Sequence, residues 1–329
     1  KKETNKPSLI IAKSIIGKFS PNKQNTSSIH GAPLGSEEMD LFLDQIGWEG
    51  DPFEHSDDIY EYFVEKRLED ANSYEKWNSN LNNKLKNDES FKKLWEQFVK
   101  NELNFPETFE IQEAATRVTG GNYMKLIGLE NKFVLGGSAD LAASTKQIIS
   151  EESYSSKNRS GQNIEFGIRE HSMAAVVNGI NLHSNLFAFG STFLVFSDYM
   201  RPSIRLASLM NLNSAFIFTH DSIYLGEDGP THQPVEHLMS LRLIPGLDVI
   251  RPSNSIETLF AYKYLFSNTK NPKALSLTRQ NLKYLNYDID YSEFLNGGFV
   301  ISKGEDFTIF ASGSEVNLAI EIKEILKDY

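Results

Sequence analysis

The sequence predicts an α/β protein with a mainly parallel sheet flanked by helices, and three observations carry that reading. From Glu113 onward, helical patterns alternate with five short apolar runs, 132–135, 186–189, 214–218, 247–250 and 273–277, as strands alternating with crossover helices do. A chain of 329 residues with 40% hydrophobic content can bury a sizeable core and fill two domains with a fragment of a third. Polar or titratable groups follow four of the runs: Gly136 to Asp140, His220-Asp221, Arg251-Pro252 and Thr278-Arg279-Gln280. In open α/β sheets the carboxyl ends of strands face ligands, so these groups are expected to converge on one pocket.

Taken in order, Ser8 to Ile16 is an apolar, β-branched run that reads as a buried strand. Between Ser36 and Lys100 the sequence turns charged and rich in Lys and Asn. Tyr74, Trp77, Leu81 and Leu85, then Phe91, Leu94, Trp95, Phe98 and Val99, recur at helical spacing and predict amphipathic helices that pack against a neighbouring layer. Residues 101–112, with Pro106, read as a linker. After the five runs, Phe307 to Ala311 reads as another strand, followed by Ser312-Gly313-Ser314-Glu315 and a helix to Tyr329. Both ends therefore look cut from a longer polypeptide.

Composition narrows the function. Thirty-three basic against 44 acidic residues give a net charge of −11, which speaks against nucleic acid as the main partner, so an anionic ligand must be held by local Arg and His. With no cysteine there is no disulfide, thiolate nucleophile or Cys-ligated metal. No segment approaches the ~20 apolar residues of a membrane span. A signal-peptide core is also lacking at Lys1 to Thr4, which is compatible with a cytoplasmic protein.

The chemistry concentrates in two segments. Three of seven histidines fall between Thr219 and His237, interleaved with Asp221, Glu227, Asp228 and Glu236, where Gly226, Gly229, Pro230 and Pro234 keep the chain irregular. The second segment, Glu165 to His171, places Glu170 between Arg169 and His171. It precedes Phe193, Phe196 and Tyr199, whose spacing puts them near one face of a helix. A metal hydrolase built on the clustered histidines would need a ligand spacing such as His-Glu-x-x-His, which is absent.

The strings Ser28-Ile29-His30-Gly31-Ala32-Pro33-Leu34, Ala115-Thr116-Arg117, Gly136 to Leu141 with Ser144, Phe166 to His171, Thr192 to Tyr199, Thr219 to Pro234, Arg251-Pro252 and Arg279-Gln280 resemble, in order and spacing, the transketolase family. The resemblance extends from Pro7 to Leu326. It implies a thiamine diphosphate-binding fold, with residues 1–105 ending the diphosphate-binding domain, 106–290 forming the pyrimidine-binding domain and 291–329 starting the C-terminal domain. It also implies transfer of a two-carbon ketol unit from a ketose phosphate to an aldose phosphate through a thiamine diphosphate carbanion, in the pentose phosphate pathway. The upstream Gly-Asp-Gly signature is not among these residues, so the ligands of the divalent cation (Mg or Ca) are expected outside them. The fragment alone is then expected to be inactive, and the whole protein to be a homodimer with active sites shared between subunits.

By the same resemblance, Glu170 bonds the pyrimidine nitrogen, Phe196 stacks on the pyrimidine, Phe193 and Tyr199 complete its pocket, and Asp140 lies near the cofactor. His30 and His232 serve the cofactor and the reacting carbons, and Asp228 reads a donor hydroxyl. Arg117 and Arg279 grip the substrate phosphate, with Ser144 and His220 as further donors. Three positions depart from the family: Tyr224 replaces a glycine and narrows the pocket or alters donor preference, while Phe19 and Asn25 replace glycines before His30. His171 is expected to make a structural hydrogen bond, His237 to lie at the surface, and His55 and His183 to have no role. The alternatives are a related ketol transferase such as dihydroxyacetone synthase, which acceptor assays with ribose 5-phosphate against formaldehyde would separate, and a non-catalytic transketolase-like binding protein.

Overall fold

A computed structural model of the chain describes residues 3, 5, 6, 8–106, 109, 113–285 and 287–326. Residues 107, 108 and 110–112 of the expected linker, and 327–329 of the expected last helix, lie outside the described residues. The chain divides into two compact units, Lys1–Asn87 and Asp88–Tyr329.

The first unit holds α1 (Ser36–Ile46) and α2 (Asp57–Asn87). The run 8–16 is not a strand. Leu9 and Ile10 are 86% and 89% exposed and no strand pairs with them among the described residues, so their backbone has no ladder to join. On α2, Tyr74 and Trp77 stack at 6.0 Å but remain exposed, so the expected packing of that stripe does not occur within the unit.

The second unit begins with α3 (Glu89–Lys100), capped by the Asp88 side chain accepting from the Phe91 N–H at 2.9 Å. Its aromatics Phe91, Trp95 and Phe98 touch in series, the first pair stacked and the second tilted, and end on Phe133, as its periodicity predicts. Then follow α4 (Thr116–Glu130), β1 (Val134–Ser138), α5 (Ala142–Thr145), α6 (Glu170–His183), β2 (Phe187–Phe193), α7 (Ser197–Leu209), β3 (Ala215–Thr219), α8 (His237–Arg242), β4 (Asp248–Ile250), α9 (Ser255–Leu265), β5 (Lys273–Ser276), α10 (Tyr291–Phe294) and α11 (Glu315–Leu326). The five strands form one parallel sheet in the order β1-β2-β3-β5-β4. The five predicted runs all lie on these strands. The run 307–311 is not a strand, and Phe310 is 93% exposed.

Strand alternation sorts the core. Ala188, Phe216, Phe218 and Ala274 point into a layer filled by Met173, Val177, Met200, Ile204 and Leu241 of α6, α7 and α8. Phe187, Phe189, Ala215, Ile217 and Leu275 point the other way, onto Met124 and Ile127 of α4 and Tyr262 and Leu265 of α9. The progression of strands across the sheet reverses between β4 and β5, which places α9 on the face opposite α6 to α8. Helices α4 and α9 approach so closely that a Cβ at Gly120 would sit 2.5 Å from the Tyr262 hydroxyl. No helix among the described residues is long and apolar enough to cross a membrane.

Candidate functional site

Because all five strands run parallel, their carboxyl ends share one edge of the sheet. β1 leads to Asp140, which is exposed at φ 63, β2 ends at Phe193, β3 delivers His220 and β5 delivers Arg279. Arg117 joins them from the first turn of α4. The Thr116 N–H donates to Thr278 Oγ1 at 3.0 Å and the Thr278 N–H donates back to Thr116 Oγ1 at 2.8 Å, pinning that turn to the end of β5.

The guanidinium of Arg117 donates to the Ser144 main-chain carbonyl at 2.6 Å and lies 3.4 Å from His220 Nε2. Burial and the neighbouring Arg279 lower the Arg117 pKa, and Asp228 opposes them. His220 is 3% exposed and held in the left-handed region at φ 58, with its Nδ1 2.8 Å from Thr219 Oγ1. Burial first, then Arg117, Arg279 and His232, push its pKa down to about 3, so the imidazole is neutral near pH 7. Arg279 and Asp228 thus lie within electrostatic reach of Arg117, and Arg117, Arg279 and His232 within reach of His220. Arg279 pairs with Glu227 on the loop after β3.

An aromatic cluster borders these charges. His220 lies over Phe193 at 3.7 Å, Phe193 and Phe196 are parallel within 8° at 5.9 Å, and His232 meets Phe196 edge-on at 5.5 Å. Tyr199 lies 6.1 Å from Phe196 and is exposed. The three rings do not share a helix face as expected: Phe193 ends β2, Phe196 closes a single tight turn and Tyr199 opens α7. His232 is fixed by its N–H donating to Gly229 O at 3.0 Å.

Glu170 is the first residue of α6 and half-buried, and its carboxylate makes no hydrogen bond or ion pair among the described residues. The next residue, His171, has its Nδ1 3.2 Å from Ser203 Oγ on α7, the structural bond expected of it.

His30 belongs to the first unit, where it is exposed after the turn Ser27–Ile29. Phe19 and Asn25 adopt φ 71 and 57, the left-handed conformation that glycine favours, and Asn25 N–H donates to Ile16 O at 2.9 Å. The loop therefore keeps a glycine-like course despite the two replacements. Glu38 anchors it by accepting from the Ser20 hydroxyl and from the Asn22 N–H at 2.9 Å, contacts that lower its pKa to about 2.

Tyr224 is 61% exposed. Other residues depart from expectation. His237 is buried instead of lying at the surface, with Nε2 3.2 Å from Asp198 Oδ2, and it ties α8 to α7. Neither partner was recoverable from spacing, since the two residues stand 39 apart in sequence. Sequence reasoning also left Arg251 without a role, although it pairs with the buried Asp221 at 2.7 Å. Arg117 Nε and both polar atoms of the Gln280 side chain are buried without a partner among the described residues.

Aromatic rings, an unpaired carboxylate and a group of cations at the carboxyl edge of a parallel sheet define a ligand-binding α/β domain, and the fold is the thiamine diphosphate-binding fold. Residues 112–284 match the model of the transketolase pyrimidine binding domain, and residues 1–104 match that of the transketolase thiamine diphosphate binding domain. The chain belongs to the transketolase family. A transketolase of Staphylococcus aureus is 41% identical over 338 aligned positions, covering 98% of this chain and 51% of its own length. The transketolase of Pichia stipitis solved in complex with sedoheptulose 7-phosphate superposes with a TM-score of 0.89 at 31% identity, over 99% of this chain and 50% of its own. That of Campylobacter jejuni gives 0.85 at 36% identity, over 99% and 51%. The chain spans about half the length of the relatives it matches.

Proposed function

We propose that the protein to which these residues belong is a transketolase, which moves a two-carbon ketol unit from a ketose phosphate such as xylulose 5-phosphate to an aldose phosphate such as ribose 5-phosphate, in the cytoplasmic pentose phosphate pathway. The convergence of Arg117, His220, His232 and Arg279 beside the Phe193–Phe196 stack carries this reading. The residues suit thiamine diphosphate: the parallel rings offer a flat apolar wall, and Glu170 has a carboxylate with no other partner among the described residues. When bound, that cofactor would supply a nucleophilic thiazolium carbon to add to the donor carbonyl and a cationic ring to act as the sink for the electron pair released as the donor C–C bond breaks. Phe196 stacks on its pyrimidine ring, Phe193 and Tyr199 line the pocket, and Asp140 lies at its margin. Glu170 holds a proton at the pyrimidine nitrogen.

At the sugar, His232 and His30 move protons at hydroxyl groups, work suited to imidazoles. Asp228 accepts a donor hydroxyl. Arg117 and Arg279 bind the phosphate, with His220 and Ser144 completing its shell. The Ser144 carbonyl pre-orients Arg117, which lowers the cost of ordering the guanidinium on binding. The divalent cation is held by residues outside this chain, and two subunits build each site as a homodimer. These 329 residues alone are inactive, and turnover of xylulose 5-phosphate by them would refute that.

The deciding experiment is Glu170→Gln in the full-length protein. Loss of a positioned acid costs about 10²- to 10⁴-fold in kcat, with the circular dichroism spectrum unchanged. Near-normal turnover would remove Glu170 from the mechanism.

A further inference from the structure

One cluster beside the site has no part in the chemistry above. Asp221 follows His220 directly and its side chain is fully buried. Its Oδ2 accepts from Arg251 Nε at 2.7 Å, while Oδ1 is buried with no partner among the described residues. Arg251 stands one residue past β4, and its side chain is only 6% exposed. Its remaining donors go to a third place: Nη1 donates to the Ser312 carbonyl at 2.9 Å and to the Glu315 carboxylate, and Nη2 donates to Ser314 Oγ at 3.2 Å. The Gly313 N–H in turn donates to the Arg251 carbonyl at 3.0 Å. Gly313 has φ +60, and a Cβ there would meet Arg251 Nε at 2.7 Å, so the segment can close over the arginine only with glycine at that point.

His220 needs such a support. Its backbone sits at φ 58, a conformation that non-glycine residues hold only when the surroundings over-determine it. On its amino side it is set by β3 and by the Thr219 hydroxyl at Nδ1. On its carboxyl side the first fixed group is the Asp221 carboxylate, held through Oδ2 by Arg251 Nε. A displaced Arg251 would let Asp221 turn, and His220 Nε2 would then leave its place 3.4 Å from Arg117.

We propose that Arg251 is a positioning residue through which the segment Ser312 to Glu315 holds His220 in place at the phosphate end of the site. Resting on the proposed sugar-phosphate reading, it adds that the start of the C-terminal segment sets affinity for the phosphorylated end of the substrate while leaving the reacting carbons untouched. Arg251 itself touches no substrate, because all three of its nitrogens are engaged within the protein.

The test compares phosphorylated and unphosphorylated acceptor aldoses in the full-length protein, with Arg251→Lys, Glu315→Ala and Gly313→Ala as variants and His220→Ala as the reference. A support displaced by a fraction of an ångström to one ångström costs on the order of tenfold to a hundredfold. The expected result is therefore a KM raised about tenfold for the phosphorylated acceptor, with kcat and the unphosphorylated acceptor nearly unchanged. Glu315→Ala and Arg251→Lys keep the question answerable if Gly313→Ala does not fold, since Glu315 is partly exposed. If His220→Ala shows the phosphate-selective loss and the other variants do not, the positioning role is overturned. An equal loss for both acceptors in Arg251→Lys and Glu315→Ala also overturns it, as a merely structural role would produce that. If His220→Ala shows no selective loss, the phosphate assignment itself has failed, and this inference fails with it.

Discussion

Two arginine–carboxylate pairs stand at the same edge of the sheet, and they differ in nearly every respect but chemistry. Arg251 and Asp221 have side chains 6% and 0% exposed, whereas Arg279 and Glu227 are 32% and 73% exposed. The first guanidinium has spent its donors on Asp221, Ser312, Ser314 and Glu315; the second has one carboxylate partner on a loop. Desolvation decides what each can do. A buried ion pair is a fixed part of the frame, costly to break because the surviving charge is stranded, while an exposed pair is worth little and can exchange its partner for a substrate anion. Burial therefore separates the arginine fixed within the frame from the one free to exchange its partner.

Breaking the buried pair should give the largest effect. Asp221→Ala leaves Arg251 facing an empty place, and the expected loss is about 3–5 kcal/mol in urea unfolding of the full-length protein. A loss below about 1 kcal/mol would mean that water or Glu315 takes over the charge, and the contrast with the exposed pair would vanish.

Between the two pairs lies His220, joined by sequence to Asp221 and pressed by the field of Arg279. With its pKa lowered from 6.5 to about 3, the folded imidazole refuses a proton that the unfolded chain accepts between those values. Its contribution to stability is therefore complete above pH 6.5 and is lost as pH falls toward 3. His220→Asn should flatten the stability profile across that window relative to the unmodified protein, and parallel profiles would show that His220 titrates normally. Inorganic phosphate should shift the His220 resonance titration upward, because an anion beside Arg117 favours the imidazolium.

The frame was more legible than the buried pair. The five strands could be read because apolar runs such as Ala215–Thr219 are bounded by polar residues and buried on both faces. The runs 8–16 and 307–311 carry the same local signal, yet neither is a strand, because pairing depends on a neighbouring strand that local sequence does not report. The roles proposed for Glu170, Phe196 and the cations rest on motif resemblance, whereas the Phe193 to Tyr199 spacing suggested a continuous helix that the end of β2 interrupts. The Arg251 cluster was hidden. Its partners lie 30 and 64 residues away, and Asp221 is within reach only because β3 and β4, though separated by β5, run parallel and end at one edge of the sheet. The burial of His237 was missed for the same reason, since it depends on α7 packing beside α8.

The smallest effect belongs to Glu227→Gln, and it sharpens the contrast from the exposed side. This carboxylate is 73% exposed, so removing its charge should change stability by less than about 0.5 kcal/mol. Its consequence should appear in binding, since Arg279 loses a competitor for its fork and the local potential becomes more positive. The KM for a phosphorylated substrate should fall by about twofold to threefold at low salt, and the gain should shrink as ionic strength rises and the Debye length contracts below about 10 Å. A raised KM would instead show that Glu227 orients Arg279 toward the phosphate, which would make the exposed pair a positioning device like the buried one and erase the distinction between them.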